Sequence, residues 1–201
     1  MERTINKKSW ITVLVTILVI LSSTLTVFAD HSSSSHSSRG WKKDSRGYYY
    51  LLENGNRAVG WKTIDNKKYY FKSNGYMCSG FTKIGDSKYY FTREKGALTG
   101  SQKIKNKWYR FSSSGRMVTG WYKKPTCNKW YWYNSDGSMA RNCWKTLGGT
   151  KFYFDGSGVM ATGFTKIRGR WYEFDEDGRF LHKYKDNEVF PAEWVKYPYQ
   201  R

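Results

Sequence analysis

Cysteine, proline and histidine are scarce: the 201-residue chain has three of each. Two of the histidines, His31 and His36, fall in one serine-rich stretch, and His182 is the third. No spacing of Cys and His fits a metal site, and no cofactor is expected. The sequence holds no nucleophile–base pair and no glycine-rich phosphate loop, so an intrinsic enzyme is not expected. Long Ala/Leu-rich helical stretches are missing after residue 30, which excludes a Rossmann-type fold. Acidic residues are few, 16 against 35 Lys and Arg, and the net charge is +19. Such a charge implies an anionic partner and says nothing about fold.

What the chain has in abundance is aromatic. There are 17 Tyr, 11 Phe and 10 Trp, or 19% of all residues, and a chain so rich in rings does not have the composition of disorder. With 19 Gly, the rings point to an all-β fold of many short strands and turns.

The first 29 residues read as a secretory signal peptide. Arg3, Lys7 and Lys8 form a basic start, Ile11 to Leu21 an apolar run, and Val27-Phe28-Ala29 a small-residue cleavage site. The apolar run is short for a membrane span, so no membrane association is expected once the leader is removed. Removal leaves 32 basic and 15 acidic residues and a charge of +17. The product is expected to be secreted and held at the cell surface or wall. Residues 30–39 are a polar, Ser-rich linker, where His31 and His36 are solvated. Cys127 and Cys143 bracket the one irregular stretch; pairing and free thiols both remain open.

From Gly40 onward the chain repeats itself. Gly40-Trp41, Gly60-Trp61, Gly80-Phe81, Gly100-Ser101 and Gly120-Trp121 are spaced by twenty residues. An insertion containing Lys123-Lys124-Pro125-Thr126-Cys127 follows, and further units open at Cys143-Trp144 and Gly163-Phe164. Each of the seven units carries an aromatic cluster, such as Tyr48-Tyr49-Tyr50, Tyr69-Tyr70-Phe71 or Trp130-Tyr131-Trp132-Tyr133. A glycine usually follows, as at Gly75, Gly137 and Gly158, with Met77, Met139 and Met160 two residues beyond.

One unit reads as a β-hairpin: strand Trp61 to Ile64, turn Asp65-Asn66-Lys67, strand Lys68 to Lys72, then the turn Ser73-Asn74-Gly75. A lone hairpin is marginal in water. Stacking buries the aromatic faces, so residues 40–182 are expected to form one β-solenoid of about seven hairpins. Residues 183–201, with Phe190, Trp194, Tyr197 and Tyr199, are expected to cap it. Tyr69, Phe71, Tyr89, Phe91, Phe111 and Phe154 are expected in the core, and the methionines as gap-fillers.

Gly-Trp, then Tyr-Tyr-Phe, then Asn-Gly, then Met, at a twenty-residue period, resembles the choline-binding or cell-wall-binding repeat family. The likeness covers essentially the whole mature chain, in seven in-phase copies. The glucan-binding repeats of glucosyltransferases and the C-terminal repeats of large clostridial toxins share the hairpin pattern and bind carbohydrate. The resemblance implies a ligand site between successive hairpins, built from the opening Trp, the first ring of the cluster, and a ring of the next unit. Carried onto this chain, it gives Trp121, Trp130 and Tyr153 first, and Trp41, Tyr48 and Tyr70 second. Trp61, Trp108, Trp132, Trp144 and Trp171 are weaker candidates. Lys68, Lys88 and Lys151 stand where other units carry the first ring, Ser101 replaces an opening ring, and Arg110 and Glu173 replace third rings. At most two of the six junctions keep a full aromatic set.

A quaternary ammonium group donates no hydrogen bond. It is held by ring faces, on the order of 1–2 kcal/mol per desolvated ring, so a three-ring cage implies roughly millimolar affinity. Repetition turns that into avidity on a polymer. The expected function is therefore non-catalytic binding of choline or phosphocholine on teichoic acid or a related wall polymer. The alternative is a carbohydrate-binding, adhesin-like repeat protein, which a basic residue beside an exposed ring would suit. Nucleic acid is not expected as a partner, because the leader exports the chain. Oligomeric state is left open by the sequence.

Overall fold

The computed structural model describes residues 39–186 and Glu188. The leader, His31, His36, and Phe190, Trp194, Tyr197 and Tyr199 of the expected cap lie outside the described residues.

Seven antiparallel hairpins follow one another. The first three pair β1 (Gly40–Asp44) with β2 (Gly47–Leu51), β3 (Gly60–Ile64) with β4 (Lys67–Phe71), and β5 (Gly80–Ile84) with β6 (Ser87–Thr92). Two-residue β7 (Gly96–Ala97) adds to β6. The next pairs are β8 (Gly100–Ile104) with β9 (Lys107–Phe111), β10 (Gly120–Lys124) with β11 (Lys129–Tyr133), and β12 (Cys143–Leu147) with β13 (Thr150–Phe154). β14 (Gly163–Ile167) pairs with β15 (Arg170–Phe174), and β16 (Phe180–Lys183) adds to β15. The repeats thus form an open, solenoid-like all-β stack with one hairpin per unit.

The turns explain why these segments pair. Asp65 and Asn66 have φ of 49° and 59°, and Lys105-Asn106, Gly148-Gly149 and Arg168-Gly169 repeat two positive values in succession. Two central residues with φ above zero make the turn whose twist suits a tight hairpin. Lys67 therefore belongs to β4 rather than to the turn. The insertion in unit 5 only lengthens its turn, since Lys124 still faces Lys129 and Lys123 still faces Trp130.

Strand alternation gives each hairpin two faces. In unit 2, Trp61, Thr63, Lys68 and Tyr70 share one, and Lys62, Tyr69 and Phe71 the other, as their cross-strand partners show. The first face of each unit meets the second face of the next. Trp61 accordingly contacts Tyr70 of its own hairpin at 5.3 Å, and Tyr89 and Phe91 of the next at 5.0 and 5.7 Å. The core lies in these junctions. All six residues expected there (Tyr69, Phe71, Tyr89, Phe91, Phe111 and Phe154) are buried.

Backbone hydrogen bonds tie one unit to the next. The N–H groups of Met77, Met117, Met139 and Met160 donate to the carbonyls of Tyr48, Lys88, Trp108 and Trp130, at 2.8–2.9 Å. Each methionine thereby reaches the first cluster position of the preceding hairpin. The glycine of the following unit's turn leaves room for it: a Cβ on Gly158 (φ +85°) would fall 2.7 Å from Met139 Cε. Cys78 is buried, Cys143 half-buried and Cys127 exposed, and all three are unpaired.

Candidate functional site: aromatic junctions between hairpins

Where a unit opens on a ring, that ring is the centre of the junction, and its partners recur. Trp41 meets Tyr69 at 4.8 Å, Phe81 meets Tyr109 at 5.0 Å, Trp121 meets Phe152 at 5.0 Å, and Trp144 meets Tyr172 at 5.2 Å. What varies is the residue at the first cluster position beside it. It is aromatic at the first and fifth junctions and lysine at the second, third and sixth (Lys68, Lys88, Lys151).

The fifth junction gathers rings around Trp121 and leaves two of them accessible. Trp121 and Trp130 stand edge to face at 5.9 Å, Trp132 lies 5.3 Å from Trp121, and Phe152 forms the far wall. Trp121 keeps 39% and Trp130 36% of their surfaces in solvent, so both rings are held by packing yet accessible. The exposed Lys123, cross-strand to Trp130, holds its Nζ over that ring at 5.4 Å from the ring centre.

The first junction has rings at the same positions, Trp41, Tyr48 and Tyr69, but a guanidinium lies among them. The guanidinium of Arg93, from unit 3, lies 3.9 Å from the Trp41 ring centre and 5.7 Å from that of Tyr48. Tyr69 closes the arrangement and donates its hydroxyl proton to the Arg93 carbonyl at 2.9 Å.

The fourth junction lacks its opening ring. Arg110 crosses over from β9 to donate to Ser101 Oγ at 3.2 Å and lies 4.1 Å from the Tyr122 ring centre. The space left is a pocket of about 330 Å3, whose lining includes Trp108, Tyr131, Lys124, Arg141 and Ser157. Tyr133, also lining it, is buried, and burial pushes its phenol up to about 12.

Of the rings anticipated from the sequence, Trp121 and Trp130 come together. Tyr153 points the other way, against Trp144 at 5.3 Å, and Tyr70 lies against Trp61 at 5.3 Å. Strand alternation is the reason: the unit 6 residue on the cage side is Phe152, and the unit 2 residue beside Trp41 is Tyr69. Trp61 and Trp144 head the second and sixth junctions, while Trp171 has Lys166 5.6 Å from its ring. Arg110 lies at the fourth junction rather than the third, and Glu173 accepts a hydrogen bond from Tyr184 at 2.7 Å. Among the described residues no cluster of His, Cys, Asp and Glu could hold a metal.

Stacked hairpins with ring-lined junctions define the class: a hairpin-repeat solenoid with aromatic sites between repeats. Family comparison agrees. A choline-binding repeat model matches residues 58–99 and 98–144, and a putative cell wall binding repeat model matches 144–160. The chain belongs to the choline-binding, cell-wall-binding repeat family. Choline binding protein F of Streptococcus pneumoniae, crystallised with a peptidoglycan analogue, is 30% identical, with a TM-score of 0.66, over 72% of this chain and 52% of its own. CbpJ of the same species is 31% identical over the same shares, with a TM-score of 0.64. The choline-binding domain of CbpL, also from S. pneumoniae, is 29% identical over 72% of this chain and 78% of that domain's chain, with a TM-score of 0.51. The chain spans about half the length of the first two relatives. No curated protein sequence matches it significantly.

Proposed function

We propose that this protein binds choline or phosphocholine groups of a wall teichoic acid, with the fifth-junction cage of Trp121, Trp130 and Phe152 as its principal site. The carrying observation is that Trp130 and Phe152 both pack on Trp121, that Trp121 and Trp130 stay accessible, and that among the described residues no guanidinium lies over these rings. Each ring face attracts a desolvated cation by about 0.5–2 kcal/mol. Family membership supports the ligand. The charge of +17 after removal of residues 1–29 would draw the protein to a polyanionic wall. In this reading residues 1–29 export the chain, 30–39 are a linker, 40–182 bind, and 183–201 cap the stack without catalysis. The cap reading is supported by Tyr184, which packs 5.9 Å from Phe164.

The test is a choline titration of the purified chain followed by tryptophan fluorescence. A saturable change at millimolar choline, lost in Trp130→Ala, is expected. A silent titration would overturn the cage reading.

A second reading rests on the fourth junction. Hydroxyls of Ser101 and Ser157, three cationic side chains and several rings suit an anionic saccharide, with rings against the sugar face and Arg or Lys on its charge. Binding of a glycan without a choline response would select it.

A further inference from the structure

Arg93 stands apart from the other described side chains. It is half-buried, and its Nε is the one buried side-chain nitrogen or oxygen among the described residues without a hydrogen-bond partner. A buried, unpaired guanidinium nitrogen is costly and calls for compensation. The compensation here is aromatic: the group lies against the faces of Trp41 and Tyr48, where a ring quadrupole stabilises a cation. We infer that Arg93 is a built-in cation occupying the first-junction cage, so that this cage is closed to an external quaternary ammonium group while the fifth remains open. The inference rests on the cage reading proposed above.

The backbone delivers it. In unit 2 the turn glycine, Gly75, follows Phe71 by four residues; in unit 3 it follows Phe91 by five, at Gly96. Gly96 (φ +68°) sits so close to β4 that a Cβ on it would run into the Lys68 carbonyl. The longer turn is thus pressed onto the preceding hairpin, with the Arg93 carbonyl pinned by Tyr69. Other turns reach back over two units in the same way. Ser114 and Arg116 of unit 4 line a pocket with Trp61 and Tyr89, and Ser157 of unit 6 lines the fourth-junction pocket. By that succession the turn of unit 7 serves the fifth junction. Its residue two places past the last ring, equivalent to Arg93, is Glu176. A carboxylate there cannot act as a plug.

The experiment counts choline sites per chain by calorimetry. The wild-type chain is expected to bind one choline, Arg93→Gln two, and Arg93→Gln with Trp121→Ala one. If the wild type binds none and Arg93→Gln binds one, the fifth-junction site fails while the plug stands. A count that does not rise on replacing Arg93 overturns the inference whatever the wild type does. In case Gln unsettles the turn, Arg93→Ala is measured by thermal unfolding. Choline is then expected to raise its Tm by more than it raises that of the wild type, and an equal or smaller rise counts against the plug.

Discussion

The fourth and fifth junctions share unit 5 yet differ in kind. At the fifth, Trp121 touches Trp130, Trp132, Phe152 and Phe154, all at 5.0–5.9 Å. Ala140, Phe152, Phe154 and Met160 form a buried cluster around it. At the fourth, Ser101 occupies the opening position. Among the described residues no buried cluster forms there, although one forms at each of the other five junctions between hairpins. One repeat position therefore decides both matters. An opening ring knits two hairpins and leaves its outer edge as a ligand face; without it an arginine and a pocket take its place.

The strongest way to break this comparison is to truncate the two opening residues. Trp121→Ala removes a ring that four others pack against. A large aromatic truncation costs about 3–5 kcal/mol in a core, and the partial exposure of Trp121 places the expected loss near ~3 kcal/mol. Ser101→Ala, a surface-type change, is expected within ~0.5 kcal/mol. Urea unfolding of both variants measures the difference. Equal losses would mean that the opening residue does not govern the junction.

Alkaline pH gives a second, smaller contrast. The last buried ring of the cluster is Tyr133 at the fourth junction and Phe154 at the fifth. Burial holds the Tyr133 phenol neutral up to about 12, above its ordinary value of 10. The folded state thus binds its proton more tightly than the unfolded state. That contribution is whole below pH 10 and is lost as pH rises from about 10 through 12. Two pKa units correspond to roughly 2–3 kcal/mol. Tyr133→Phe is expected to flatten this part of the stability profile, measured by urea unfolding from pH 9 to 12. An unchanged slope would place the titration elsewhere.

Repetition made most of the fold legible. The twenty-residue spacing, the tight turn between paired strands and the core rings from Tyr69 to Phe154 each occur several times, and only the exact bounds of the turn, which the sequence pattern carries on into Lys67, needed the structure. The site was less legible for two physical reasons. Alternation shows that Trp130 shares a face with Trp132, and Phe152 with Phe154. Which face meets which neighbour is a property of the stack, so Tyr70 and Tyr153 proved to face the next junction along instead. Arg93 acts across 52 residues on Trp41. Its one trace in the sequence is the displaced glycine at Gly96, and nothing in a pairwise pattern says where a longer turn will land.

The mildest intervention is to convert one junction toward the other. In Ser101→Trp a ring would enter the pocket of about 330 Å3 and pack on Tyr131 and Tyr133, as Trp121 packs on Phe152 and Phe154. Arg110 would have to leave Ser101, but it keeps Tyr122 as an aromatic partner. Filling such a space yields about 0.5–2 kcal/mol when the new side chain fits, and the expected gain is ~1 kcal/mol, read as a higher urea midpoint with an unchanged m-value. Ligand behaviour separates core from site. With Arg110 in place the rebuilt junction is expected to be stable yet silent to choline, like the first junction with Arg93. Adding Arg110→Tyr should bring one further choline site, because the guanidinium that now lies beside Ser101 and Tyr122 would give way to a ring. A stabilised double variant that gained no site would show that rings suffice for packing without sufficing for recognition.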